Sequence, residues 1–174
     1  MGRIATALLT AMLVCCASAA SAQCAPKKGP VHNYLRAHPN YHPVDLTDLG
    51  DSDRLAWRRL HRGVCPGLAT VELGRKGEKS YALAITTTGR NGRLERLILL
   101  EADGAKLTPK TLVPAFPVGD PLVVWRAKPR TVREFGSRRR IALAHDSIMF
   151  EKLGLSAKVF HLADGKIQTV LVAD

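Results

Sequence analysis

Residues 61–86 read HRGVCPGLATVELGRKGEKSYALAIT: a Cys-Pro-Gly turn, then two apolar runs joined by a basic loop that holds two glycines. Apolar runs bounded by glycine-containing loops are the pattern of antiparallel strands joined by hairpins. The pattern continues downstream. Leu68–Leu73, Ser80–Thr87 and Leu94–Glu101 are predicted strands, separated by GRKGEK and TGRNGR. An Ala-Asp-Gly turn then leads into AKLTPKTLV, where Pro109 places the return strand on an edge or breaks it. Residues 113–121 contain three prolines and are expected to form a crossing loop. LVVWRAK reads as a strand and RTVREF as a further short one, followed by Ile141–Ala144, Ser147–Leu153, Ala157–Leu162 and Lys166–Val172. LILLEADGAKLTPKTLV and AKVFHLADGKIQTVLV repeat one pattern of strand, Ala-Asp-Gly turn, lysine and strand. The expected class is α+β, mainly antiparallel β hairpins with one N-terminal helix packed on the sheet.

That helix is DSDRLAWRRLHRG, expected near residues 52–61. Asp51 or Ser52 can cap it, Asp53 and the C-terminal arginines oppose the helix dipole, and Gly63 can supply a left-handed stop. Ala56, Trp57 and Leu60 form its apolar stripe. Upstream, residues 23–50 hold four prolines and read as an irregular segment with a helical turn at Val31–Arg36. The expected core is Leu55, Trp57, Leu60, Val71, Leu83, Ile85, Leu97, Leu99, Val124, Ile148, Phe150, Val159, Phe160, Val170 and Val172.

The chain opens MGRIATALLTAMLVCCASAASAQ: one basic residue, an uncharged run from Ile4 to Cys16, and a small-residue end at Ala20-Ser21-Ala22. This is the layout of a signal peptide, residues 1–22, and the run is too short to span a bilayer. Cys15, Cys16 and Cys24 each lack the preceding small residue of a lipid-modified cysteine. Cleavage near Ala22 predicts a periplasmic or extracellular protein that meets the membrane only during export, with residues 51–174 as one β-rich domain. Of the four cysteines, Cys24 and Cys65 survive cleavage, and in an oxidising compartment they are expected to pair. A zinc site would need about four convergent ligands, and a cysteine nucleophile would need a histidine partner.

Lysine and arginine number 26 against 15 acids, a net charge of +11. Such a balance favours polyanions, although the basic residues are spread along the whole chain. The densest cluster is Lys128, Arg130, Arg133, Arg138, Arg139 and Arg140, a candidate site for an anionic envelope polymer. Aromatic residues make up only 5% of the chain, too few for the stacking platforms of a specific nucleic-acid reader.

The Asp-rich helix start, the Cys-Pro-Gly turn, the strand ending Tyr-Ala-Leu and DSIMFEKLGLSAKVFHLADGKIQTVLVAD resemble exported bacterial proteins of unassigned function. The likeness covers roughly residues 45–100 and 140–174, and it implies no activity. CPGLATVELGRKGEKSYALAI is also similar to the FG-GAP or VCBS hairpin, whose loop acids bind calcium. That register puts Glu72, Gly74, Lys76 and Ser80 at the ligand positions. Glycine and lysine offer no side-chain oxygen, so the resemblance implies the hairpin without its metal.

Other constellations carry little chemistry. His38 and His42 have helical metal spacing, but Pro39 and Pro43 drive them out of helix, which leaves the role of these residues and His32 open. Asp45, Asp48, Asp51 and Asp53 fail the calcium-loop spacing at Gly50. His145-Asp146-Ser147 is contiguous, whereas triads assemble from separate segments. No residue marks a catalytic, cofactor or metal site. The expectation is a non-catalytic accessory or binding module, with a small secreted hydrolase of unmarked catalytic residues as the alternative.

Overall fold

The computed structural model describes residues 24–74, 77–90, 92–103 and 106–173. The expected export signal and its expected cleavage point near Ala22 lie outside the described residues, as does Lys76. Segment 24–50 is more regular than expected: it carries helix α1 (Pro30–Ala37) and a two-residue strand β1 (His42–Pro43). Pro30 opens α1, where its missing N–H costs nothing. Helix α2 (Asp51–Leu60) lies within a residue of its expected position, but Gly50 is its N-cap and no side chain caps it.

The strands follow the hairpin pattern. β2 (Leu68–Val71), β3 (Ser80–Gly89), β4 (Gly92–Asp103) and β5 (Lys106–Pro117) form one antiparallel sheet with β1. β6 (Val123–Ala127), β9 (Ser147–Lys152), β10 (Ser156–Ala163) and β11 (Lys166–Ala173) form a second, in the order β11-β10-β9-β6. β7 (Arg130–Arg133) and β8 (Arg140–Leu143) make a separate two-stranded hairpin. The expected crossing loop at 113–121 begins later, because β5 runs through Pro114 to Pro117. It can do so because β5 is an edge strand and because two irregularities relax its register. Val113 faces Leu97 while Thr111 faces Ile98, which leaves Leu112 extra; Phe116 faces Glu95, which leaves one more residue extra between Val113 and Phe116. Such bulges and prolines bend an edge and blunt further pairing.

Strand alternation sorts the apolar residues into layers. Ala82, Ala84, Leu97 and Leu99 of the first sheet meet Val124, Ile148, Phe150 and Phe160 of the second in the central core. The opposite phase of β3 and β4, Leu83, Ile85, Ile98 and Leu100, is covered by Val31, Tyr34 and Leu35 of α1. On the far side of the second sheet, Met149, Val159, Val170 and Val172 lie under Val132 and Leu143 of the β7–β8 hairpin. The helix that covers a sheet face is therefore α1. In α2 only Trp57 is buried, and the expected core residues Leu55 and Leu60 are 72% and 64% exposed. The stripe of α2 is a single tryptophan, which joins the central core, and Lys152 ties Asp53 to β9 at 2.8 Å.

The Cys-Pro-Gly turn joins three parts of this architecture. Cys65 is disulfide-bonded to Cys24, with their Cα atoms 5.2 Å apart. The Pro66 carbonyl accepts the Val124 N–H at 2.7 Å, linking the two sheets. Gly67 lies against the Val44 backbone so closely that a Cβ would overlap it. That approach lets β1 and β2 share one edge of β3, since Ala84 bonds both Gly67 and Val44.

Candidate binding seam

The sandwich is closed on one side and open on the other. On the closed side β2 runs beside β6, joined by the Val124–Pro66 bond. On the open side the edges are β5 and β11, and no pairing joins them among the described residues. A cleft of about 350 Å³ lies in this seam. Val113 to Phe116 of the bulged β5 form one wall; Phe150, Ser156, Lys158 and Leu171 form the other, with Leu122 from the connection into β6.

The register explains the mixed character of the second wall. Leu171, Lys158, Phe150 and Val124 stand opposite one another in one row across the second sheet. Phe150 and Val124 belong to the central core, so the same face carries Lys158 and Leu171 beyond the reach of the first sheet. Lys158 is exposed, and Leu171 is 42% exposed. A lysine in this phase lays its methylenes along apolar neighbours and keeps its ammonium in water.

Glu95 lies behind the cleft with no exposed surface. Its two oxygens accept the Leu122 N–H at 3.2 and 3.0 Å. Burial pushes its acid up to about 7, against the opposing pull of that N–H, Arg93 and Lys152, while Asp48 adds to the rise. Burial alone would lower Lys152, but its hydrogen bonds to Asp53 and Asp120 outweigh it and hold its pKa above the ordinary lysine value. Asp48 pairs with Arg93 at 3.2 Å, so the surroundings of Glu95 are themselves largely neutralised.

The basic cluster read from the sequence is divided. Arg133 and Arg140 are cross-strand partners on the β7–β8 hairpin, both exposed. Arg139 pairs with Glu134 at 3.7 Å, and Arg133 donates to the Ser137 carbonyl. Arg130 reaches instead over the Trp125 ring, 5.6 Å from its centroid, and toward the Met149 sulfur. Lys128 stands at the other end of β7 from Arg138, each exposed.

The remaining candidates are occupied locally. His32 and His38 contact backbone carbonyls of Pro26 and Tyr34, and His42 is exposed in β1. Asp45 accepts the Thr47 N–H and hydroxyl, Asp51 pairs with Arg54, and Asp53 with Lys152. Among the described residues no group of three His, Cys, Asp or Glu is arranged to hold a metal. Glu72 accepts the Gly77 N–H, closing its own loop. Asp146 accepts the Glu72 N–H and pairs with Arg126, while Ser147 is fully buried and bonds the His145 carbonyl.

Sequence reading missed Lys158, Ser156, Leu171 and Glu95. One signal was present: Lys158 shares the alternation phase of the core residue Phe160 in β10, and Glu95 that of Leu97 and Leu99 in β4. Comparison with protein families, with curated proteins and with solved structures finds no match to this chain.

Proposed function

We propose that this chain is an exported, non-catalytic binding module that holds an apolar ligand group in the open seam between its two sheets. One observation carries the reading: the filled core of the sandwich continues into an apolar cleft of about 350 Å³ open to solvent. That volume falls at the small end of the roughly 300–1,000 Å³ usual for ligand pockets. An apolar wall left open gains from any group that removes it from water, at roughly 25 cal/mol per Å² buried. The Cys24–Cys65 disulfide supports a periplasmic or extracellular setting. Kinship with exported bacterial proteins belongs to the same proposal.

The test uses a neutral apolar dye, N-phenyl-naphthylamine, whose fluorescence rises out of water. One saturable site is expected. Ala115→Trp, on an exposed cleft residue, should fill the seam and abolish the signal without lowering the melting temperature. Ala142→Trp, on the exposed face of β8, should leave it unchanged. Equal binding by both variants would overturn the seam as the site.

A further inference from the structure

We infer that the ligand of the seam is a single-chain amphiphile with an anionic head, its chain held between Phe116 and Phe150 and its head met by Lys158 and Ser156. The inference rests on the reading of the seam as a binding site and adds the chemistry of the ligand. Lys158 and Ser156 are the polar side chains of an otherwise apolar lining, and among the described residues no carboxylate lines it. Both belong to one strand and are two residues apart, so they stand on the same face of the sheet. They place an ammonium and a hydroxyl together at one end of the apolar wall.

The position of Lys158 argues for a charged partner. Its row neighbours are Phe150 and Leu171, so the sheet offers it no acidic cross-strand partner. Among the described residues no carboxylate pairs with Lys158, whereas Lys152, six positions earlier, holds both Asp53 and Asp120. An anion arriving at Lys158 therefore displaces no internal ion pair. It gains a charge-assisted bond beside an apolar surface that excludes part of the competing water. The net charge of +11 raises the local concentration of anions in the same direction. The small cleft suits one chain of medium length better than a two-chain lipid. Carboxylate and phosphate heads share this chemistry.

The decisive experiment measures calorimetric affinities below micelle formation for four ten-carbon probes: decanoate, decyl phosphate, decanol and decyltrimethylammonium. Either anion should bind at least about tenfold more tightly than decanol, the scale of one charge-assisted hydrogen bond. The cation should bind most weakly. Lys158→Met should bring decanoate down to decanol, Lys158→Arg should retain most of the difference, and Lys166→Met, an equal change of charge at an exposed position, should leave it. The ratio of decanoate to decyl phosphate identifies the head, and a preference for either supports the inference. Equal affinity for decanoate and decanol would overturn the anionic head and leave the apolar seam intact. Equal losses in Lys158→Met and Lys166→Met would also overturn it, showing attraction by net charge alone. Failure of every probe, decanol included, would overturn the seam reading itself.

Discussion

Glu95 is a carboxyl group with no exposed surface, in the strand phase of the core residues Leu97 and Leu99. Its acid is raised from 4.5 to about 7, chiefly by burial. The folded state therefore holds this proton more tightly than the unfolded chain does. Stability falls as pH rises from about 4.5 to about 7, and levels off outside that window, where both states carry the same charge. The contribution is on the order of 3 kcal/mol. Glu95→Gln should flatten this slope and melt at a higher temperature than the parent at pH 8, while changing little at pH 4.5. Thermal melts across pH 4 to 8 check it; an unchanged slope would remove Glu95 from the account. Lys158 and Glu95 also mark what periodicity can and cannot reveal. Their phase in the strand was legible, but the average strand pattern counts a lysine or glutamate as a solvent-facing residue. Only the opposite sheet decides whether that phase is covered, as at Glu95, or left open, as at Lys158.

Elements show the same division. α2 was legible from its acids, its arginines and Gly63, which has a φ of +74°. Its packing was not, because an apolar stripe does not say how much of it finds a surface. Trp57 is buried, bonds the Val64 carbonyl through Nε1, and stacks on His61, which in turn lies against Trp125 of β6. Trp57→Ala should cost about 3–5 kcal/mol, whereas Leu60→Ser should stay within about 0.5 kcal/mol. Chemical denaturation distinguishes them, and equal losses would mean that α2 packs along its whole stripe. The two Ala-Asp-Gly turns differ for a related reason. In the second, Ala163 pairs with Lys166, and Asp164 and Gly165 form the tight turn with φ of 52° and 71°. In the first, Asp103 pairs with Lys106, so the loop begins one residue later. Identical turn residues thus stand in different registers, since register follows the packed faces of the strands as well as the turn.

At the scale of the whole molecule, the Cys-Pro-Gly turn holds N-terminal segment, first sheet and second sheet together. Replacing both Cys24 and Cys65 with serine opens a loop of 41 residues and should cost about 4 kcal/mol in the chain-entropy model. Denaturation of the double variant beside the disulfide-bonded parent checks this. Gly67→Ala should cost about 1–3 kcal/mol by overpacking, with the loss relieved only if β1 leaves β3. Hydrogen exchange at Ala84 and Val44 reports that separation; protection unchanged from the parent would show that Gly67 is dispensable. Calcium should not raise the melting temperature, because Glu72 is engaged with Gly77 and glycine occupies position 74. A rise with millimolar calcium, reversed by chelator, would contradict this.

Hairpin order, the edge position of β5, the disulfide pair and the burial of every expected core residue but Leu55 and Leu60 could be read from the chain alone. Each depends on local causes: turn residues, strand alternation, proline's missing N–H, and the count of cysteines. Tertiary structure decided three things: that α1 covers the sheet, that α2 buries one side chain, and that the arginines of residues 130–140 divide between solvent, Glu134 and Trp125. It also decided the seam. A strand's two phases are written in its sequence, but whether a phase meets a second sheet depends on where that sheet ends. The second sheet extends past β5 at Lys158 and Leu171, and there an inward-facing row becomes the wall of a cleft.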